Sequence, residues 1–234
     1  MPKDLLHVVM IPWSAFGHMW PFFQLSIALA KAGVKISFVQ TPKNIKRLPK
    51  IPPNLTTLIN LVELPLPALD NDVLPEGAEA TVDLPFEKYQ YLKTAYDLLK
   101  EPFKKFVADQ LPDWIFVDVI PYWAAEVAME YQVPLVYFTV FTACTDVFLG
   151  SPDYLIGEGQ KKLRPSPESL KSAPQNGSPS HLLFSSRNMR LLSVLVPFMD
   201  QMALKNLMPI AFARPYSHAK LWLYAVAMSL KVIT

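Results

Sequence analysis

Two polar residues have the types and surroundings for proton chemistry. His18 follows Gly17 just behind the apolar run at 7–13 (HVVMIPW), and Asp118 closes the run at 114–118 (WIFVD). Both runs are rich in branched and aromatic side chains, as strands covered on both faces should be. Each polar residue therefore falls at the carboxyl end of a strand, where open α/β sheets place ligands and reacting groups. An imidazole titrates near neutrality and can take a proton from a hydroxyl. A carboxylate on its other ring nitrogen would fix the tautomer and stabilise the imidazolium that forms. Spacing alone also allows a loop histidine bonded to backbone and an aspartate capping the helix that follows Pro121. Both readings stay open at this point.

The elements that must position these residues alternate along the chain. After the first strand, the spacing predicts a short loop presenting Gly17 and His18. A helix opens near Pro21, which suits a first helical turn. Phe22, Leu25 and Leu29, with Ile27 and Ala28, supply its apolar face, and Gly33 stops it. A second strand follows at 34–39. Residues 42–85 are punctuated by proline, with one strand expected at 58–64 and an acidic loop at 70–83. Phe86, Tyr89, Leu92, Tyr96, Leu99, Phe103 and Phe106 recur at spacings of three and four and predict a long amphipathic helix, kinked or split by Pro102. A strand at 114–118, a helix at 122–131 and a strand at 133–138 complete the pattern. This rhythm predicts an α/β protein with a doubly wound parallel sheet.

Composition excludes several classes. With 51% apolar and 18% charged residues and a net charge of +2, the 234-residue chain is globular and lacks the basic patch of a nucleic-acid binder. It contains neither G-x-G-x-x-G nor G-K-[ST], so no glycine-rich phosphate cradle is encoded. One cysteine, Cys144, and four scattered histidines give no zinc spacing and no disulfide framework, so no metal is expected. The apolar run at 221–230 is too short to span a bilayer, and the N-terminus lacks signal-peptide features. These features predict a cytoplasmic protein without a membrane span.

The motifs also resemble a known family. P-W-x-x-F-G-H-M-x-P-F at 12–22, L-A-x-A-G-V-x-I-S-F-V-x-T at 29–41, P-D-W-I-F-V-D-V-I-P-Y-W-A at 112–124 and, more weakly, V-P-L-V-Y-F-T-V-F-T-A at 133–143 are similar to the N-terminal part of plant family 1 UDP-dependent glycosyltransferases. The resemblance implies a Rossmann-like acceptor-binding lobe at 1–174, one half of a two-lobed GT-B enzyme. It implies His18 as catalytic base and Asp118 as the partner that orients it. Thr142 matches a hydroxyl region near the sugar donor, with Thr139 as the alternative. Trp13, Phe16, Trp20 and Phe22 either line an acceptor pocket or pack in the core. The wording around 16–21 and 121–124 resembles the branch that adds sugars to flavonoid or terpenoid glycosides. The implied co-substrate is a UDP-sugar, with no further cofactor, and the implied partner is a small-molecule glycoside or aglycone.

The chain departs from that family near residue 175. Residues 1–174 hold 16 basic and 19 acidic side chains, whereas 175–234 hold 6 and 1, and the strand–helix rhythm stops. Family members are about twice as long, and nothing in 175–234 resembles their donor-binding signature. These features predict an aberrant tail, little turnover by the 234-residue chain alone, and possible pairing with a full-length relative. For 213–234 one set of codons reads, in another frame, as family-like sequence. The tail is therefore expected to follow a frame change near residues 173–178. Coding DNA tests this: synonymous codons incompatible with that frame would rule it out.

Overall fold

The computed structural model describes residues 5–69 and 73–141. Its centre is a five-stranded sheet made of β1 (His7–Ile11), β2 (Lys35–Gln40), β3 (Ile59–Glu63), β4 (Trp114–Val117) and β5 (Leu135–Tyr137). The strand order is β3-β2-β1-β4-β5, and every pairing is parallel. The helices are α1 (Phe16–Lys31), α2 (Pro42–Arg47), α3 (Tyr89–Asp97), α4 (Lys100–Gln110) and α5 (Trp123–Glu130). The expected doubly wound architecture is present. Every residue of β1 is buried, as is all of β2 after Lys35, which is why neither run alternates in hydropathy. Among the described residues no helix is long and apolar enough to cross a membrane.

The register determines where the site lies. Met10 pairs with Phe116 and Ile11 with Val117, so β1 and β4 run out of the sheet side by side. The strand order reverses between these two strands. A crevice opens at such a switch point because the crossovers on either side leave in opposite directions. The residues that follow β1 and β4 therefore face one another across it.

Two expectations need correction, and a third, the split at Pro102, is borne out. The first helix does not open near Pro21. It starts at Phe16, and the N–H groups of both His18 and Met19 donate to the Ala15 carbonyl at 2.9 Å. His18 thus lies in the first turn of α1 rather than in a loop. Pro21 lies inside this helix, where it leaves the Gly17 carbonyl, one turn earlier, without its usual N–H donor. The buried stripe of α1 also differs from the expected face, being Met19, Phe22, Phe23, Ser26 and Ala30. Ser26 enters it by donating to the Phe22 carbonyl at 2.9 Å. Leu25, Ile27 and Leu29 are only partly buried against the core.

The long helix expected from residue 86 onward is divided, and the division precedes Pro102. A short 3-10 turn (Phe86–Lys88) leads into α3, which is capped at Leu98, and α4 begins at Lys100. Proline cannot bond the carbonyl four residues back and crowds it. For Pro102 that carbonyl belongs to Leu98, the residue at which α3 stops. Pro102 then sits in the first turn of α4, where no intrahelical donor is required. Gly33 does stop α1: at φ +86° it takes the left-handed conformation, and the Val34 N–H returns to the Leu29 carbonyl at 3.1 Å. The expected domain boundary at 174, the tail at 175–234 and Thr142 lie outside the described residues.

His7, at the opposite end of β1 from the crevice, is buried with Nε2 2.9 Å from Ser37 Oγ. Burial, reinforced by Lys35 and opposed by Asp113, holds its pKa below the usual 6.5. The unfolded chain therefore binds a proton at a higher pH than the folded one, and stability is lost as pH falls through and below 6.5. We expect the thermal midpoint to be flat above neutrality and to drop across that window. His7→Gln should flatten the drop, which a pH series of melts by circular dichroism would check.

Candidate active site

The crevice brings the two residues together. His18 Nδ1 donates to Asp118 Oδ2 at 2.7 Å, with His18 15% exposed and Asp118 only 1%. Asp118 is the first residue past β4, and His18 is held rigidly in the opening turn of α1. The carboxylate accepts two further donors, the Trp13 N–H at Oδ2 (2.9 Å) and the Val119 N–H at Oδ1 (2.7 Å). The aspartate is thus not simply a helix cap, and the histidine is not simply bonded to backbone. With Nδ1 carrying the proton, the lone pair of the neutral ring is on Nε2, the tautomer a base needs.

A buried polar layer holds the segment between β1 and α1. Gln40, the last residue of β2, accepts at Oε1 from Ser14 Oγ and from the Thr41 N–H, both at 2.9 Å, and donates from Nε2 to the Pro12 carbonyl at 3.1 Å. That carbonyl also accepts the Tyr96 hydroxyl at 2.5 Å. Tyr96 stacks edge-on against Trp13 with ring centroids 5.0 Å apart, tying α3 beneath the segment. From the other side, the Thr81 N–H donates to the Ser14 carbonyl at 3.0 Å.

The loop carrying Thr81 is itself fastened. Asp83 receives both terminal nitrogens of Arg47 at 2.6 and 3.0 Å, with the N–H groups of Glu79 and Ala80 adding to them. The Arg47 guanidinium, with those two backbone donors, holds the Asp83 carboxyl well below the usual carboxylate range. Arg47 also lies 6.0 Å over the Phe16 ring, so the same residue touches the start of α1. The acidic loop expected at 70–83 is thus docked against α2 through its last residue.

The four aromatic candidates divide. Trp13 and Phe22 are buried and belong to the core, Phe22 meeting Phe138 edge-on at 4.9 Å. Phe16 is partly exposed and Trp20 is 45% exposed, so these two remain at the surface of the first turns of α1. Thr139 is buried two residues beyond β5, while Thr142 is outside the described residues. Among the described residues no group of three or more His, Cys, Asp or Glu could hold a metal ion. Sequence reasoning missed Gln40, Ser14, Tyr96 and Asp83. The available signal for Gln40 was a lone amide ending an otherwise apolar strand.

Comparison with known proteins agrees with this geometry. The chain is 41% identical over 172 residues to UDP-glycosyltransferase 91C1 of Arabidopsis thaliana, covering 74% of this chain and 36% of that protein. Over those residues the chain is similar to plant UDP-glycosyltransferases. The chain is also 40% identical over 147 residues to a soyasaponin III rhamnosyltransferase from Glycine max (63% of this chain, 31% of that protein). It is 34% identical over 172 residues to an anthocyanidin-3-O-glucoside rhamnosyltransferase from Petunia hybrida (74% and 35%). The chain therefore spans about a third of the length of the curated relatives it matches. No family model matches it.

Among solved structures, Arabidopsis thaliana UGT89C1 complexed with UDP-L-rhamnose superposes with a TM-score of 0.54 at 23% identity, covering 68% of this chain and 41% of that one. Glycyrrhiza uralensis UGT73P12 gives 0.54 at 16% identity, with 95% and 49% covered. These likenesses show the fold: a Rossmann-like lobe of the two-lobed GT-B type.

The hydrogen-bond inventory of Asp118 generates a prediction. An amide accepts at one atom only, so Asp118→Asn leaves at least one of the three N–H donors facing an NH₂ group. We expect a loss of about 1–3 kcal/mol in stability, the cost of a buried group left unsatisfied. Urea denaturation of the variant would measure it, and an unchanged midpoint would contradict the three-donor arrangement.

Proposed function

We propose that residues 1–174 form the acceptor-binding lobe of a UDP-dependent glycosyltransferase and that His18 is its base. In this reading a hydroxyl of a small plant metabolite, or of a glycoside of one, meets Nε2 of His18. The ring takes the proton as the oxygen attacks the anomeric carbon of a hexose. UDP leaves, and the sugar is transferred with inversion because one displacement occurs at one carbon. Asp118 stabilises the imidazolium through the 2.7 Å bond to Nδ1, and that bond is the observation that carries the reading. General-base assistance of this kind contributes about 10²–10⁴-fold to rate.

Two finer statements belong to the same proposal. The acceptor is a glycoside, a reading supported by relatives whose names include a saponin and an anthocyanidin glucoside. Phe16, partly exposed, and Trp20, 45% exposed, in the first turns of α1 offer flat apolar surface to such a molecule. Thr142, or Thr139 in its place, contributes a hydroxyl to the sugar donor in this reading, as the family resemblance implies. The location is cytoplasmic, in keeping with a single cysteine. The UDP-sugar is held by a second lobe that residues 1–174 do not supply.

Acceptor binding and sugar transfer test the reading separately. Saturation-transfer NMR on the 234-residue chain should detect flavonoid or triterpenoid glycosides. With UDP-rhamnose or UDP-glucose added, the chain alone should give little or no glycosylated product by mass spectrometry, because the base has no oriented electrophile to act with. Binding that is equal for glycosides and for unrelated sugars would count against an acceptor site. Efficient transfer that His18→Ala leaves intact would remove His18 from the role of base.

A further inference from the structure

We propose that Gln40 is a positioning residue for the base: its side chain fixes the Pro12–Ser14 segment, and through the Trp13 amide it sets the tautomer and orientation of His18. The proposal rests on the reading of His18 as a proton acceptor and adds to it a residue from a different strand. The geometry leaves little choice in how this amide is turned. The Thr41 N–H can only donate, so the atom facing it at 2.9 Å is Oε1. The Pro12 carbonyl can only accept, so the atom facing it at 3.1 Å is Nε2. One planar group therefore bonds both ends of a three-residue segment, the Pro12 carbonyl through Nε2 and the Ser14 hydroxyl through Oε1 at 2.9 Å.

Trp13, held between those two anchors, directs its N–H onto the same Asp118 oxygen that accepts from His18. A shift of the segment moves that N–H relative to Oδ2. The carboxylate then follows whichever donors remain, and the imidazole bond follows the carboxylate. Gln40, Ser14 and Asn44 are all buried to within 1% of complete, so water cannot replace a lost bond without opening the layer. The hydrogen bonds of Gln40 go to Pro12, Ser14, Thr41 and Asn44, so its influence on the imidazole is carried by the segment.

The test reads the ring rather than sugar transfer. In ¹⁵N-labelled 234-residue protein, long-range ¹H–¹⁵N spectra report which nitrogen of His18 carries the proton. The wild type should show the Nδ1–H form. Gln40→Met keeps length but removes donor and acceptor, and the Nε2–H share should rise about fivefold or more, as expected when a bond of ordinary strength is lost. Gln40→Glu keeps the acceptor toward Ser14 and Thr41 but sets an oxygen against the Pro12 carbonyl, and it should shift the ring in the same direction.

Ser37→Ala is the control: it removes a buried bond from the same strand, to His7 at the far end, and should leave the His18 spectrum unchanged. A folded Gln40→Met protein with the wild-type His18 spectrum overturns the proposal, as does a Ser37→Ala spectrum that shifts equally. If Gln40→Met does not fold, Ser14→Ala severs the Ser14 link alone, and an unmoved His18 spectrum there overturns the proposal equally. Failure of the transferase reading would show in acceptor binding and leave this tautomer result standing.

Discussion

A carboxylate removed from water must be given back the hydrogen bonds it loses, or its burial costs several kcal/mol. Asp118 meets that demand with donors from three places: the residue after it, the segment that leaves β1, and the first turn of α1. Satisfying this one side chain therefore fixes the relative positions of two strands and a helix. The register of β1 against β4 makes the arrangement reachable, since both strands end level with one another. The same bonds that make the buried aspartate tolerable also orient the imidazole. Stability and preorganisation are here properties of one set of contacts.

Placing His18 in a helix rather than a loop matters for that set. A side chain in the first turn of a sixteen-residue helix inherits the rigidity of a core element, because α1 lays Phe22, Phe23 and Ala30 against the sheet. Precise sites are built on such elements more readily than on loops. The approach to the helix is fixed just as firmly. Between Ile11 and Phe16 the chain is held by Gln40 from β2, by the Tyr96 hydroxyl from α3 and by the Thr81 amide from a loop fastened through Asp83 to Arg47. The elements around the crevice thus contribute through contacts with a few residues of main chain.

Much of this was legible in the sequence where one physical cause dominated. The strands were placed to within two residues at either end, because sheet residues covered on both faces leave unbroken apolar runs. His18 and Asp118 were legible because a polar residue at the end of such a run has few reasons to be there. The start of α1 was misjudged because Pro21 carries a strong preference for a first turn, whereas the helix opens five residues earlier and buries Met19 before it. The polar layer offered one signal, the amide of Gln40 at the end of an apolar strand, and its partners offered none. Gln40, Ser14 and Asn44 are ordinary surface residues by type, and only the folded chain shows that their groups close on one another. Asp83 likewise read as part of a solvated acidic loop, since nothing in its neighbourhood announces Arg47, which lies 36 residues earlier.

The bonds around His18 also separate two requirements of sugar transfer that are often treated as one. Deprotonating an acceptor needs a base in the right tautomer, and directing the attack needs an activated sugar held on line with it. Every contact that orients His18 through Asp118, Trp13 and Gln40 lies within residues 5–141. If His18 is the base proposed above, it is assembled by the folding of this lobe and does not wait for a nucleotide sugar to arrive. Catalysis gains most from groups that need no reorganisation at the moment of reaction. On the reading proposed for His18, a lobe that builds its base beforehand leaves only the electrophile to be brought in.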